Sequence, residues 1–140
     1  MSAQLAHPIN ISPDAQGLGG ALAQATELSF RKGNIKQHYP VTWGGKTYED
    51  AARAYQLNRS EDPYTNDSLM ADIFATKLLT YPRLLKAIIE RGGILWLEKC
   101  SHDDGDVITL WSGTSYKSRY IRNLIQGYCY AHAVKMGDDI

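Results

Sequence analysis

The sequence lacks several features that define common classes of protein. It has no net charge, because 15 basic residues balance 15 acidic ones, and therefore no global field that would attract nucleic acid or an anionic membrane. No apolar run approaches the length that spans a bilayer. The first eight residues lack the basic leader and apolar core of a secretory signal. We therefore expect a cytoplasmic protein with neither a nucleic-acid nor a membrane partner.

Cysteine is also scarce, and no metal-binding pattern is present. Cys100 and Cys129 are not spaced as a metal or redox pair, so we expect reduced, buried thiols, with a disulfide between them as the alternative. The loop Ser101–Asp106 contains one histidine and three aspartates, but it matches neither an EF-hand nor a zinc spacing. A solvated hairpin loop is the favoured interpretation and metal binding the alternative. We expect no cofactor and no bound metal.

The chain has the size and composition of one ordinary globular domain. It has 140 residues, of which 44% are hydrophobic and 21% charged. Helical patterns are longer and more numerous than strand patterns. The fold class predicted is therefore predominantly helical α+β, with four or five helices and a small antiparallel β element.

The stretch His38–Gln56 carries the clearest local signals. Val41–Trp43 is a short run of β-formers, and Gly44-Gly45 is typical of a hairpin turn. Thr47, followed by Asp50 three residues later, resembles a capping box that would open a helix ending near Arg59.

The remaining elements follow from periodicity and from helix start and stop signals. We expect Thr26 to cap a short helix, Thr65 or Asn66 to cap a longer one, and Gly17–Gly20 to form a flexible turn rather than a phosphate loop. The predicted helices are Glu27–Lys32, Leu69–Leu79, Pro82–Arg91 and one from Thr114 or Ser115 to Gly137; the predicted strands are Ile94–Leu97 and Val107–Trp111. The chain divides into an N-terminal arm with a short helix (1–33), the main domain (34–136) and an acidic tail (137–140).

Two cations stand out by position. Lys77 interrupts the apolar face of its helix, so its side chain would either snorkel to solvent or meet an anionic ligand. Arg119 falls in the first turns of the last helix, where positive charge opposes the helix dipole. That placement favours a nearby anion or carboxylate, which makes Arg119 a candidate ligand-binding residue.

Five segments share an order and spacing that resemble a known family. They are Lys36–Pro40, Gly45–Tyr48 with Ala52–Gln56, Met70–Lys77 followed by Leu84-Leu85, Leu97-Glu98, and Trp111–Gly113. Over roughly residues 34 to 128, the chain thus looks like a compact and divergent member of the NADAR family, also called YbiA-like.

The resemblance implies a pocket for an ADP-ribose or ribose-phosphate type ligand. Members of that family are implicated in cleaving N-glycosidic bonds, so a hydrolase of the N-glycosidase type is the enzymatic expectation. The implied ligand-binding residues are Gln37, Tyr39, Tyr55, Gln56 and Trp111. Lys77 would meet phosphate or a leaving group.

Ala52 stands where the family motif has a glutamate, so the carboxylate that such hydrolysis normally uses must come from elsewhere. Asp104 is the candidate, with Glu49 and Asp50 as alternatives. Two other functions stay open: sensing of a nucleotide sugar without catalysis, and a structural or interaction protein that keeps only the fold.

Overall fold

The computed structural model describes residues 6–103, 113–114 and 118–138. Within these ranges the fold is predominantly helical α+β, which confirms the predicted class. The helices are α1 (Leu18–Ala21), α2 (Thr26–Arg31), α3 (Ala51–Asn58), α4 (Pro63–Thr80), α5 (Pro82–Arg91), α6 (Ile94–Leu97) and α7 (Arg119–Asp138). The strands form two antiparallel pairs: β1 (Val41–Trp43) with β2 (Lys46–Tyr48), and β3 (Ser101–His102) with β4 (Gly113–Thr114).

The hairpin before α3 forms as expected, but the helix starts later than the sequence suggests. Gly44 and Gly45 have φ values of 61° and 81°, which the tight turn requires and side-chain-bearing residues disfavour. Thr47 does not cap the helix as predicted; it pairs with Thr42 in the strand register. Asp50 is the cap, and its side chain accepts a hydrogen bond from the Arg53 backbone N–H. β-pairing of Thr47 therefore replaces its capping role.

Helices α4 and α7 pack against each other and form the centre of the core. Asp62 caps α4 with Pro63 in the first turn, whereas the predicted cap Asn66 binds the backbone of Ser60 instead. At the crossing, a Cβ on Gly127 would lie 2.7 Å from the Ala71 carbonyl oxygen. The absence of a side chain at this position lets the two backbones approach closely. On α7, the side chains of Tyr120, Ile121, Leu124 and Tyr128 are buried in this core.

The predicted strand Ile94–Leu97 is wrong, because these residues form the short helix α6. The Leu97 N–H donates to the Gly93 carbonyl at 3.0 Å, and the adjacent residues Trp96 and Leu97 are both buried. Short apolar runs do not distinguish a buried strand from a buried helical turn. The second predicted strand, Val107–Trp111, lies outside the described residues.

The N-terminal segment packs onto the rest of the chain. Ile11 and Leu22 are fully buried in the same core as α4 and α7. Gly17–Gly20 is not the flexible turn predicted, because α1 begins at Leu18 and buries Gly19 and Gly20. Thr26 is the first residue of α2 rather than its cap.

Both cysteines are free thiols, as predicted. Cys100 is buried and Cys129 is exposed, so the expectation of burial was wrong for Cys129. Among the described residues, no helix is both long enough and apolar enough to cross a membrane.

Candidate functional site

A cleft of about 610 Å³ opens between α1, the segment that leads into β1, and the start of α5. This volume falls within the roughly 300 to 1,000 Å³ typical of small-molecule sites. The cleft is lined by Gln16, Gly17, Leu18, Ala21, Gly33, Asn34, Ile35, Lys36, Gln37, Tyr39, Arg83, Leu84 and Ala87. Two of the predicted ligand-binding residues, Gln37 and Tyr39, thus share one cavity.

The polar lining of this cleft is cationic. Lys36 and Arg83 contribute positive charge, and no aspartate or glutamate is present among the described residues that line it. Neither cation forms an ion pair or a side-chain hydrogen bond with any residue in the described ranges. A charge that no carboxylate neutralises favours an anionic ligand.

A smaller cavity adjoins the cleft, and Tyr39 lines both. This cavity, of about 240 Å³, shares Gln37, Tyr39, Arg83 and Leu84 with the cleft. The rings of Tyr39 and Tyr81 meet edge to face, with centroids 5.0 Å apart, and the Tyr81 hydroxyl donates to the Pro40 carbonyl at 2.6 Å. Burial raises the pKa of Tyr39, while the positive charge of Arg83 opposes that change. The phenol is therefore neutral at physiological pH and is held in a defined orientation.

Lys77 lies directly behind the wall of the cleft. Its side chain is fully buried, and the ammonium donates hydrogen bonds to the carbonyls of Ala21 at 2.6 Å and Ala23 at 2.9 Å. The amine also lies 5.5 Å from the ring centroid of Tyr39. The snorkelling conformation considered for Lys77 is wrong, because the stem does not reach solvent. Ala21 and Tyr39 lie at the cleft surface and separate the amine from it.

Burial sets the protonation of this lysine. Desolvation lowers the pKa of Lys77 to about 7, and the charge of Asp50 acts in the opposite direction. An amine with this pKa changes charge near neutrality, unlike an exposed lysine.

Asp50 caps two helices at once. Its carboxylate accepts hydrogen bonds from the backbone N–H of Arg53 at 2.9 Å and of Glu27 at 3.1 Å, although the residue is only 4% exposed. A third cavity, of about 220 Å³, lies beside Asp50 and is also lined by Glu49, Ala52 and Gln56. This cavity shares no described lining residue with the cleft.

The other predicted site residues lie apart from the cleft. Tyr55 is buried in the core and lines none of these three cavities. The Arg119 guanidinium donates to the Asp67 carboxylate at 2.5 Å, so the counter-charge expected for it is a carboxylate of the same chain. Asp104 and Trp111 lie outside the described residues.

Arg83 is the cleft residue that sequence reasoning missed. It follows Pro82 at the start of α5, where a cation opposes the helix dipole. The same reasoning that singled out Arg119 applies to Arg83 and would have found it. Across the described ranges, no group of three or more His, Cys, Asp or Glu residues could hold a metal ion.

Comparison of the chain with protein-family models, with curated proteins and with solved structures finds no match.

Proposed function

We propose that the protein binds a small anionic ligand of the ribose-phosphate or ADP-ribose type in the cleft between α1 and α5. The observation that carries this proposal is the pair Lys36 and Arg83, two unpaired cations in a cavity with no described carboxylate in its lining. Phosphate oxygens are natural partners for such groups, and arginine binds them through a planar fork of donors.

The rest of the lining suits a sugar attached to that phosphate. Gln16, Asn34 and Gln37 supply amide groups of the kind that bind sugar hydroxyls, and the Tyr39 ring offers a flat apolar surface. These features support the ligand class that the family resemblance implies, in part through Gln16, Asn34 and Arg83, which the resemblance does not include.

The cleft favours binding over hydrolysis. N-glycosidic bond hydrolysis generally uses a carboxylate beside the bond to be broken. Two of the carboxylates considered for that role, Glu49 and Asp50, line the cavity of about 220 Å³ instead of the cleft. The third, Asp104, lies outside the described residues. Hydrolase activity therefore stays a prediction from the resemblance, and the same experiment tests it.

The test is calorimetric titration with ADP-ribose and ribose 5-phosphate, with uncharged ribose as the ligand control. We expect the two phosphorylated compounds to bind more tightly than ribose. Replacing Arg83 by glutamine should weaken binding about tenfold or more, which is the scale of one lost charge-assisted hydrogen bond.

Lys86→Gln is the matched control, because Lys86 lies on the same helix as Arg83 but does not line the cleft. It removes the same charge and should leave affinity unchanged. Equal losses in the two variants, or no binding of either phosphorylated compound, would overturn the proposal. The experiment also includes an incubation with NAD, in which release of nicotinamide would show turnover as well as binding.

A further inference from the structure

Two residues of the cleft wall, Ala21 and Tyr39, contact the buried amine of Lys77. Ala21 lines the cleft, and its carbonyl accepts the shorter of the two hydrogen bonds from Lys77. Tyr39 lines the cleft as well, and its ring faces the same amine at 5.5 Å. We propose that binding of an anion in the cleft is coupled to the uptake of a proton by Lys77. This inference rests on the proposed function, since it needs an anion in the cleft.

The surroundings of Lys77 balance groups that favour its charge against burial that disfavours it. The carbonyls of Ala21 and Ala23 and the rings of Tyr39 and Phe74 stabilise an ammonium. The carboxylate of Asp50 acts in the same direction, and complete removal from water acts against it. A small change in local charge can therefore change the protonation of this amine.

The titratable and charged groups around this centre come from several elements. Asp50 comes from the start of α3, and Tyr39 comes from the segment before β1. Tyr120 of α7 donates its hydroxyl hydrogen to the Leu22 carbonyl at 2.8 Å, between the two carbonyls that Lys77 binds. Arg83 of α5 faces Tyr39 from the cleft side. Burial at this centre lowers the pKa of Lys77 to about 7, which lies in the physiological range.

The sign of the coupling follows from electrostatics. An anion in the cleft favours the charged form of a nearby amine, so it raises the pKa of Lys77. Between the free and bound pKa values, the complex then holds more protons than the free protein. Ligand affinity must therefore increase as pH falls through this window. Arg83 and Lys36 would contact the anion directly, whereas the buried Lys77 would change the affinity through its charge alone.

The test measures protons as well as affinity. ADP-ribose is the probe, because its diphosphate does not titrate near neutrality. Titration at about pH 7.5 in two buffers of different ionisation enthalpy gives the number of protons taken up. We expect the wild-type protein to take up a fraction of one proton. We also expect its affinity to be several-fold higher at about pH 6.5 than at about pH 8.5, since a shift of one pKa unit corresponds to about tenfold.

Two variants separate Lys77 from other sources of protons. Lys77→Met keeps the length and apolar character of the stem and should bind ADP-ribose without proton uptake. His38→Gln is the control, because His38 carries an imidazole next to Tyr39 in the chain but does not line the cleft, and the variant should retain the uptake. Uptake of equal size in Lys77→Met and wild type, or none in the wild type, would refute the coupling while leaving ligand binding established. Failure of ADP-ribose to bind at both pH values would instead refute the proposed function.

If Lys77→Met does not fold, NMR of the wild-type protein labelled with ¹³C at lysine Cε provides the answer. The Lys77 resonance should titrate near pH 7 in the free protein and at a pH about one unit higher when the protein is saturated with ADP-ribose. An unchanged titration midpoint in the saturated protein rules out the coupling.

Discussion

The Lys77 amine lies 5.5 Å from the centroid of the Tyr39 ring, with the lysine wholly in the core and the tyrosine at the surface of the cleft. This pair connects the last turn of α4 to the cavity proposed to bind ligand. The contact joins residues 38 positions apart in the chain.

The buried amine should make stability depend on pH. The unfolded lysine has a pKa of 10.5 and the folded one about 7, so the unfolded chain binds more protons between these values and stability rises with pH. We expect the free energy of unfolding to increase by about 1 kcal/mol per pH unit between about pH 7.5 and pH 8.5. Urea denaturation of wild type and Lys77→Met measures this, and the variant should lose the slope.

The pH range in which Lys77 makes stability rise ends where other groups shielded from water begin to lose their protons. Burial raises the pKa of Cys100 from 9.0 and those of Tyr39, Tyr81 and Tyr128 from 10.0. Each of these groups prefers its neutral form in the folded protein, so above about pH 9 they reduce stability as pH rises. Slopes of equal size in wild type and Lys77→Met below that pH would contradict the assignment to Lys77.

Asp50→Ala should destabilise the protein by about 2 kcal/mol, because one carboxylate caps the first turns of both α2 and α3 and each cap contributes about 1 kcal/mol. Asp50→Asn is the matched comparison, because the carboxylate uses both of its oxygens as caps whereas the asparagine amide has one acceptor oxygen and can keep one cap. It should destabilise the protein by about 1 kcal/mol and lower the pKa of Lys77 further, because the charge that favours the ammonium is gone. Thermal unfolding and lysine NMR separate the two effects.

Arg119→Met should reduce stability without changing ligand affinity. The guanidinium joins the first turn of α7 to Asp67 and to the Pro63 carbonyl at the start of α4. The Arg119 side chain is 16% exposed and that of Asp67 is 35% exposed, so solvent screening limits the pair to about 1 kcal/mol. A double-mutant cycle with Asp67→Asn measures that energy. Loss of ADP-ribose binding in Arg119→Met would restore Arg119 as a ligand-binding residue.

Gly127→Ala should destabilise the protein by roughly 2 kcal/mol, because the new methyl group would lie 2.7 Å from a backbone carbonyl oxygen of α4 and the two helices would have to separate. Gly137→Ala in the same helix is the control, since a Cβ there meets nothing within 4 Å. It should be neutral or stabilising by up to about 1 kcal/mol, as expected from helix propensity. Chemical denaturation of both variants checks the contrast, and similar effects at the two positions would contradict the close approach of α4 and α7.

Local signals predicted much of the secondary structure. The strand Val41–Trp43 and its glycine turn, the end of α3 before Arg59, and the extent of α5 from Pro82 to Arg91 all form as predicted. These features depend on residues within a few positions of one another. The error at α6 involves a distant partner, since the Trp96 indole donates to the His7 carbonyl 89 positions away. The predicted caps Thr47 and Asn66 instead pair with the nearby residues Thr42 and Ser60.

The candidate site could be predicted only in part. Gln37 and Tyr39 line one cavity, but Gln56, from another segment of the family resemblance, lines a different one. Arg83 and Lys36 enter the cleft from separate elements, and no spacing in the chain relates them.

By itself, the sequence determined the helical α+β class, the hairpin that precedes α3, and the placement of Lys77 on an inward-facing helix surface, because periodicity and turn chemistry act over short distances. Only the tertiary structure decided what Lys77 meets there. Two carbonyls from the α1–α2 turn, more than 50 positions away in the chain, bind its amine, and burial lowers its pKa to about 7. Desolvation and long-range hydrogen bonding depend on how the whole chain packs, and no local pattern encodes them.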